Sequence, residues 1–508
     1  MHLRSPLDSP LKIALRSPFD YSGVSGSSYP STGLIVCDGN SMVAGTNSPA
    51  GEDFPAQLTA MISTGVTTWT KYNFGVSGQT TPQMTTDAAA QVATLWAGVF
   101  GVKILVVMEG HNDIATNGVT GATAYANLQT YITTALGGAS DVIVIPITAP
   151  NSTFISSRNT DRLAFNSLLV AGYPNTINLD TLDDRFTQAV ASDISDGGHP
   201  NSAGYNKIAA AVADKLVTLN KVGSGAFNFA SAATVGTAEG TYATMQTTTI
   251  TAAAALLTYW AVGTDDPDTT RQSYVRAVAI PDSLTLKVKT YQAQKYPKTT
   301  SFAYVITQSF MASTLATTGL VARFAKGGAS GATWTDSASS PHNLTLTGSP
   351  VINADGTVTF DGVNDRGTTA NFTTSQPNSV YMRLKAVTIT NLATLFDGVS
   401  QYQQCVLTIA PNFATYAGGA NIAISPKTGQ WSSMLVAFNG ASSLIQNDLG
   451  TAVTGNTGTN ASGRITIGSD GGGTGFANFM LAEFLMYSTT HTQAERDYFA
   501  MYLRLVKQ

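Results

Sequence analysis

A serine and a histidine that lie far apart in the chain offer the clearest chemistry. Ser41 follows a short apolar run on a predicted strand-to-helix turn, where its hydroxyl can serve as a nucleophile. His199 comes three residues after Asp196, so one loop can supply a base and the carboxylate that orients it. Each residue also has a plainer explanation, because serine often caps a helix and a histidine can sit in an ordinary turn. Together they indicate a serine nucleophile with a histidine base.

Two further motifs could donate hydrogen bonds to a bound ligand. Gly78 lies within Asn73–Thr80, and a glycine lets the backbone approach a ligand closely and point an N–H at it. Asn112 lies within Glu109–Asp113, and a side-chain amide can donate to a developing oxyanion. An ordinary turn would explain either motif taken alone. In combination with the serine and the histidine, they predict an acyl-transfer site.

The elements that must position these residues alternate between strand-like and helix-like segments. Apolar runs bounded by turn residues predict strands at Gly33–Cys37, Lys71–Phe74, Lys103–Met108, Asp141–Ile147 and Thr176–Leu179. Segments of helical length and spacing lie between and after them, at 54–62, 82–100, 125–136, 157–172 and 202–219. This alternation predicts a parallel sheet with helices on both faces, whose ligands bind at the carboxyl ends of the strands.

In order and placement, the four motifs resemble those of the SGNH subgroup of the GDSL esterase and lipase family. That family carries its serine in a Gly-Asp-Ser block, followed by a glycine block, a Gly-X-Asn-Asp motif and a late Asp-X-X-His motif. The matching positions here are Ser41, Gly78, Gly110–Asp113 and Asp196–His199. The similarity covers about residues 32–220, which is less than half of the chain.

The resemblance implies an α/β/α flavodoxin-like hydrolase domain and a role for each matched residue. Ser41 would attack an ester carbonyl, His199 would accept its proton, and Asp196 would fix the histidine tautomer. The backbone N–H groups of Ser41 and Gly78, with the side-chain amide of Asn112, would hold the oxyanion. This reaction requires neither a metal ion nor an organic cofactor.

The motif positions indicate which of the five histidines is the base. Three of the five histidines lie outside this domain, namely His2, His342 and His491. His111 is the variable residue of its own motif, which leaves His199 as the natural base.

One residue departs from the family pattern. Asn40 stands where the family usually has aspartate, and Asp38 lies two positions earlier. The departure concerns the hydrogen bonds around the serine more than the reaction itself.

After Lys221 the sequence changes from alternating strands and helices to a β-rich pattern. Period-two alternation at Leu284–Gln292 and Phe302–Ile306 predicts a small antiparallel β domain over residues 221–315. Further strands, joined by Gly, Asn and Asp turns, predict a β-sandwich over residues 316–508. Thr492 and Glu495 form a predicted capping box ahead of a terminal helix.

The β-sandwich segment resembles a concanavalin A-like jelly roll of the laminin-G type. The residues that carry this resemblance are Gly319–Phe324, Trp334–Asp336 and Val358–Asp365. Such domains bind glycans or serve as spacers and assembly surfaces, so the resemblance predicts a fold and says little about a ligand. Several positions carry oxygen atoms that could ligate calcium, namely Asp361, Asn364, Asp365 and Ser469–Gly471. Turn chemistry explains these residues more simply.

Composition excludes several classes of protein. A chain of 508 residues predicts two to four domains at roughly 100 to 200 residues each. Lys plus Arg total 27 against 31 for Asp plus Glu, and charged residues make up only 11%, which leaves few cations to bind nucleic acid. No stretch approaches the roughly 18 apolar residues of a membrane span. Cys37 and Cys405 fall in different predicted domains, so neither a disulfide framework nor a zinc cluster is expected.

Residues 1–31 form a separate amino-terminal segment. They lack the apolar core and cleavage site of a secretory signal, and their closely spaced prolines oppose a helix. An extended arm that docks on another molecule and a floppy terminus explain this segment equally well.

An esterase joined to β domains and to this arm suggests a carbohydrate-directed enzyme mounted on a larger particle. The arm itself is similar to segments in phage and prophage tail proteins. The resemblance implies a carbohydrate O-acetylesterase that acts on bacterial surface polysaccharide. It further implies a virion-tail or extracellular location, and a homo-oligomer attached to the virion through the arm. Two alternatives remain, a broad-specificity lipase or arylesterase and a non-catalytic glycan-binding adhesin.

Overall fold

Two compact units make up the described part of the chain. In the computed structural model, the described residues are 31–63, 67–137, 139, 141–148, 156–179, 193–196, 198–223, 227–265, 267, 272–274, 276–400, 405–410, 412–425 and 428–506. Unit 1 comprises Met1–Ala232, Ala252–Thr258 and Lys289–Thr299, and unit 2 comprises Ala233–Thr251, Tyr259–Val288 and Thr300–Gln508. Apart from residue 31, the predicted arm lies outside the described residues. The boundaries of the four predicted segments stay predictions.

A parallel four-stranded sheet forms the centre of unit 1. Its strands are β1 (Thr32–Gly39), β2 (Thr68–Asn73), β3 (Val102–Met108) and β4 (Asp141–Val144), in the order β2-β1-β3-β4. The predicted fifth strand at Thr176–Leu179 makes only a single parallel bridge to β4. Its Ile177 and Leu179 are nevertheless buried, so packing rather than strand pairing explains the apolar pattern of that segment.

Helices cover both faces of this sheet, as the alternating pattern predicts. They are α1 (Ser41–Ala44), α2 (Phe54–Ile62), α3 (Thr81–Gln91), α4 (His111–Ala115), α5 (Gly121–Leu136), α6 (Ser156–Gly172) and α7 (Ser202–Thr218). Along β1, Leu34 and Val36 enter one core layer, whereas Ile35 and Cys37 enter the layer on the opposite face. Both layers exclude water, which explains why this strand reads as a continuous apolar run.

Strands dominate the chain after unit 1's last helix. The first nine are β5 (Thr234–Val235), β6 (Gly240–Tyr242), β7 (Gln246–Thr248), β8 (Ile250–Thr251), β9 (Leu257–Val262), β10 (Gln272–Ser273), β11 (Val278–Ile280), β12 (Leu284–Tyr291) and β13 (Lys298–Ile306). The burial of β12 alternates over most of its length, as the period-two sequence predicts.

The region after residue 313 is a large antiparallel β-sandwich. A short helix, α8 (Thr314–Thr317), precedes it, and α9 (Gln493–Val506) ends it. Its strands are β14 (Leu320–Ser330), β15 (Thr333–Asp336), β16 (Leu344–Thr347), β17 (Val351–Ile352), β18 (Val358–Asp361), β19 (Arg366–Thr368), β20 (Asn378–Ala386), β21 (Thr394–Asp397), β22 (Cys405–Ile409), β23 (Asn412–Tyr416), β24 (Ile422–Ile424), β25 (Trp431–Phe438), β26 (Ser443–Asn447), β27 (Val453–Gly455), β28 (Thr466–Ile467) and β29 (Asn478–Tyr487).

Aromatic side chains fill the core of unit 2. Phe324 packs against Phe484 with ring centroids 5.7 Å apart, and Phe310 packs against Phe499 of α9 at 5.1 Å. The capping box predicted at the start of α9 is present, because the carboxylate of Glu495 accepts the backbone N–H of its N-cap threonine at 2.7 Å. Within the described ranges, no helix is both long and apolar enough to cross a membrane.

A buried ion pair anchors the loop that precedes α7. Lys207 Nζ lies 2.8 and 2.9 Å from the two carboxylate oxygens of Asp193, and both side chains are almost fully buried. Asn201, the N-cap of α7, donates its backbone N–H to the carbonyl oxygen of Asp193. Since a buried charge without its partner is strongly destabilising, the pair fixes where this loop leaves the core.

Two buried carboxyl groups lie at the carboxyl ends of β1 and β3. Asp38 accepts hydrogen bonds from the Tyr131 hydroxyl at 2.6 Å and from the Gly39 backbone N–H at 2.8 Å. Burial raises the pKa of Asp38 to about 6 despite these bonds. Burial also raises the pKa of Glu109 well above its usual value. Its Oε2 atom is buried without a hydrogen-bond partner among the described residues, as suits a neutral carboxyl group.

The raised pKa of Glu109 predicts a pH-dependent stability that a neutral replacement should remove. The native state holds the proton more tightly than the unfolded chain, so the stabilisation is full below the ordinary glutamate pKa and is lost as pH rises through the native pKa. Glu109→Gln mimics the protonated form at every pH. We expect the unfolding temperature of Glu109→Gln minus that of wild type, both measured by calorimetry, to increase progressively as the pH is raised from 5 towards 9.

Glu52→Gln provides the matched control in the same unit, because it is the backbone carbonyl of Glu52 that accepts a hydrogen bond from Gln57. The control should show no comparable drift with pH. An unfolding-temperature difference for Glu109→Gln that stays constant across the pH range would contradict a neutral Glu109.

Candidate active site

The turn after β1 presents Ser41 as the first residue of α1. Asn40 is the N-cap of this helix, and its side-chain oxygen accepts the backbone N–H of Met42 at 2.9 Å. The Asn40 amide donates to Oε1 of Glu109 at 3.2 Å. An asparagine therefore makes the cap that an aspartate would make, and it also has the N–H group that an aspartate lacks. Hydrogen bonds therefore satisfy both the side-chain oxygen and the side-chain nitrogen of Asn40, the residue that departs from the family pattern.

Glycine is required immediately before this turn. A Cβ atom on Gly39 would lie 2.2 Å from the carbonyl oxygen of Met108 on the neighbouring strand. Any side chain there would push β1 and β3 apart at their carboxyl ends. The close approach brings the Ser41 turn next to the motif that follows β3.

His199 connects the serine to an acidic residue in its own loop. Its Nε2 atom lies 3.0 Å from Ser41 Oγ, and its Nδ1 atom lies 2.8 Å from Oδ2 of Asp196. The imidazole is 31% exposed and the carboxylate 44% exposed, so solvent and substrate can reach both. The structure thus brings the three residues predicted from the sequence into one chain of hydrogen bonds. With Nδ1 protonated, Nε2 is free to accept the serine proton.

Hydrogen bonds inside the loop hold the carboxylate of Asp196. Its Oδ1 atom accepts the backbone N–H of His199 at 2.8 Å and that of Gly198 at 3.0 Å. Burial raises the pKa of Asp196, but the bonds from these N–H groups and from the His199 ring outweigh it and lower the pKa to about 2. The group is therefore a carboxylate at any pH where the histidine can act as a base.

The predicted oxyanion residues lie on the two neighbouring loops. The Asn112 side-chain amide donates to the carbonyl oxygen of Gln79 at 2.7 Å, which connects the start of α4 to the Gly78 block. One amide hydrogen makes this bond, and a primary amide has a second. Gly78 has a φ of 79°, and no atom lies within 4 Å of the position of a Cβ, so its surroundings are open. Serving an oxyanion stays a prediction for both residues.

His111, the variable residue of its motif, lies within electrostatic range of the base. Burial, followed by the positive charge that His199 can carry, lowers the pKa of His111 to about 4. His111 is therefore neutral near pH 7. This leaves one imidazole in the site that changes charge during a proton transfer and a second that stays neutral.

Three residues in or beside the site make contacts that an analysis of motifs does not predict. Glu109 supports Asn40, and Tyr131 holds the carboxyl group of Asp38. Asn47 donates its amide to Oδ2 of Asp196 at 2.7 Å. A glutamate directly after a strongly apolar strand is a visible signal, whereas a tyrosine on an amphipathic helix and an asparagine in a polar loop look ordinary.

The described residues contain no group of three or more His, Cys, Asp or Glu side chains that could hold a metal ion. Among the positions considered as calcium ligands, Asp361 accepts the backbone N–H of Val363 and Asp470 accepts that of Thr474. These are turn hydrogen bonds, the simpler of the two explanations given by the sequence.

Comparisons with known proteins match part of unit 1 to a family model. Residues 37–207 match the model of the GDSL-like Lipase/Acylhydrolase family. A member of the lipolytic G-D-S-L family from Veillonella parvula shares 21% identity with this chain, over 37% of this chain and 97% of that one, with a TM-score of 0.28. Comparison with curated proteins gives no match.

Two other solved structures are similar to part of the chain. Trypanosoma rangeli sialidase in complex with sialic acid shares 11% identity over 44% of this chain and 43% of its own, with a TM-score of 0.31. Domain 4 of a GH43 extracellular arabinanase from Geobacillus stearothermophilus shares 15% identity over 36% of this chain and 98% of its own, with a TM-score of 0.30. The chain thus spans less than half of the sialidase. The match to the model of the GDSL-like lipase/acylhydrolase family over residues 37–207 coincides with the parallel sheet and the Ser41 site.

Proposed function

We propose that this chain is a serine esterase that hydrolyses its substrate through an acyl-enzyme intermediate on Ser41. The observation that carries the proposal is the continuous chain from Ser41 Oγ through both ring nitrogens of His199 to Asp196. A nucleophile, a base and an orienting carboxylate at hydrogen-bond distance form the arrangement that activates a serine. The match to an acylhydrolase family model supports an ester substrate.

Acylation begins when Ser41 Oγ attacks the ester carbonyl carbon and His199 Nε2 takes the hydroxyl proton. Asp196 stabilises the resulting imidazolium through Nδ1 and keeps the ring in place. The tetrahedral intermediate collapses as its C–O bond to the alcohol breaks. His199 then returns its proton to the departing alcohol oxygen, which leaves the acyl group on the serine.

Deacylation repeats the same steps with water. His199 takes a proton from a water molecule, whose oxygen attacks the acyl carbon. When the second tetrahedral intermediate collapses, the bond to Ser41 breaks and the serine recovers its proton from the imidazolium. The products are a carboxylic acid and an alcohol, and the enzyme is unchanged.

The oxyanion of both intermediates would accept N–H groups from three neighbouring loops. We assign these donors to the backbone of Ser41, the backbone of Gly78 and the side chain of Asn112. The bond from Asn112 to the Gln79 carbonyl supports this assignment, because it orients the amide beside the Gly78 block before any substrate binds.

For the substrate we propose an O-acetylated carbohydrate. The rim of the site supports a hydroxylated alcohol, because Thr46 Oγ1 and Ser77 Oγ lie 2.6 Å apart there and Asn47 and Asp196 are exposed beside them. Hydroxyl and amide groups at an exposed rim can exchange hydrogen bonds with a sugar, whereas they offer no apolar area to a long acyl chain.

A broad-specificity lipase or arylesterase is the second candidate. Tyr72 lies just before the Asn73–Thr80 motif and Val76 lies within it, and they are 38% and 51% exposed. Exposed apolar side chains on the segment that carries Gly78 would favour an aryl or alkyl group. The length of the preferred acyl chain therefore decides between the two candidates.

The wider setting we propose is bacterial surface polysaccharide. The chain would act from a virion tail or another extracellular particle, as a homo-oligomer attached through residues 1–31. The resemblance of that arm and of the β-sandwich to phage tail proteins supports this setting.

Replacing the nucleophile should abolish hydrolysis. We expect Ser41→Ala to lower kcat on p-nitrophenyl acetate by about 10⁶-fold, because the remaining groups cannot form the acyl-enzyme. Ser63→Ala, at an exposed serine that ends α2, should retain wild-type turnover. Normal turnover by Ser41→Ala would refute the assignment, and an inactive wild-type chain would favour the adhesin.

Removing the side-chain amide should slow the chemistry without removing it. Asn112→Ala is expected to lower kcat by about 10²- to 10³-fold, the usual cost of one oxyanion donor. Asn117→Ala, at an exposed asparagine just after α4, serves as the control in a steady-state assay. An unchanged kcat for Asn112→Ala would place the oxyanion elsewhere.

The carbohydrate assignment predicts a preference for short acyl groups and for sugars. The wild-type chain should release acetate from O-acetylated bacterial polysaccharides, and Ser41→Ala should not. On p-nitrophenyl esters, we expect kcat/KM to be higher for acetate than for octanoate. Activity confined to long-chain esters would instead establish the lipase.

A further inference from the structure

We propose that Asn47 is a positioning residue that orients the Asp196 carboxylate, an inference that rests on the proposed esterase function. Asn47 Nδ2 donates to Oδ2 of Asp196 at 2.7 Å, and this same oxygen accepts the His199 ring N–H at 2.8 Å. The asparagine therefore contacts the one carboxylate oxygen through which Asp196 acts on the base.

The four hydrogen bonds that Asp196 accepts from described residues divide into two kinds. Three come from its own loop, namely the backbone N–H groups of Gly198 and His199 on Oδ1 and the His199 ring on Oδ2. The fourth comes from Asn47, which lies 149 residues earlier in the chain. An ionised carboxylate has about four acceptor positions, so Asn47 completes the set. It also supplies a contact that does not move with the loop.

Asn47 belongs to the segment that carries the nucleophile. It lies three residues after the end of α1 and follows Thr46, whose backbone N–H donates to the Ser41 carbonyl at 3.1 Å. The carbonyl oxygen of Thr46 accepts the Tyr205 hydroxyl of α7 at 3.0 Å, and its side chain contacts Ser77. Hydrogen bonds therefore fix this segment to α7 and to the loop that carries Ser77. Because the segment is fixed, the Asn47 amide holds the Asp196 carboxylate in place.

The backbone of Asn47 is in a conformation that asparagine tolerates better than most side chains. Its φ is 66°, in the left-handed region. This conformation directs a short amide side chain across to the opposite loop. Glycine can adopt the same conformation without strain, which makes Asn47→Gly a clean removal of the amide.

Loss of the amide should act on the chemical step. Without it, Oδ2 of Asp196 keeps a single donor and the carboxylate can rotate away from the imidazole. Because Asn47 and Asp196 are both exposed, water can replace part of the bond, and we expect kcat to fall by about three- to tenfold. Asn47→Asp should lose more, since it replaces a donor with a like charge beside Asp196.

The test measures kcat and KM on p-nitrophenyl acetate for wild type, Asn47→Gly, Asn47→Asp, Asp196→Ala and the Asn47→Gly/Asp196→Ala double variant. Asn220→Gly is the matched control, because Asn220 is another left-handed asparagine, with a φ of 55°, at the end of α7. Its kcat should equal that of wild type. Asn47→Gly should lower kcat with little change in KM, and it should have no further effect once Asp196 is alanine.

Each outcome separates this inference from the function on which it rests. An active wild-type chain whose kcat is unchanged by Asn47→Gly overturns the positioning role and leaves the esterase intact. The same fractional loss with and without Asp196 shows that Asn47 acts on the fold rather than through the acid, and also overturns it. A wild-type chain that hydrolyses no ester overturns both.

Discussion

A single imidazole joins two residues that lie 155 positions apart in the chain, Ser41 and Asp196. Its two nitrogens can bond both partners only if the end of β1 and the loop before α7 meet at one edge of the sheet. Parallel strands satisfy this condition, because their carboxyl ends all face the same way and the loops that follow them converge. The helical layers that pack onto β1 fix the position of the Ser41 turn. This packing helps to keep Ser41 Oγ 3.0 Å from His199 Nε2.

The contacts that hold each end of this chain differ in kind. On the serine side, Asn40 caps α1 and bonds to the buried carboxyl group of Glu109, whose pKa is raised by burial. On the histidine side, the buried pair of Lys207 and Asp193 fixes the root of an otherwise exposed loop. The charged pair holds the histidine loop at the point where it leaves the core. Hydrogen bonds hold the closely packed turn that carries Ser41. In the proposed account, Asn47 connects the two sides outside the reacting atoms.

Motif order is sufficient to predict which residues the structure brings together, because the topology of a parallel sheet brings strand ends together whatever lies between them. Apolar spacing predicts α2 with its observed bounds, whereas the segment predicted as one helix over 82–100 is α3, which ends at Gln91, followed by a short 3-10 helix at Ala93–Ala97. Thr176–Leu179 shows the limit of this reasoning, since a buried apolar run need not pair with a strand. Asn47 was invisible for a different reason. Its contact depends on a left-handed backbone and on a loop 149 residues away, and neither leaves a pattern in the local sequence.

The most direct test of the account is covalent labelling of the wild-type chain with a fluorophosphonate, followed by mass spectrometry of the labelled peptide. Such a probe reacts with a serine whose hydroxyl is activated by a neighbouring base. The account predicts one label per chain, located on Ser41, and a much slower reaction in His199→Ala. A label on another residue, or labelling of Ser41 at an equal rate without the imidazole, would contradict it.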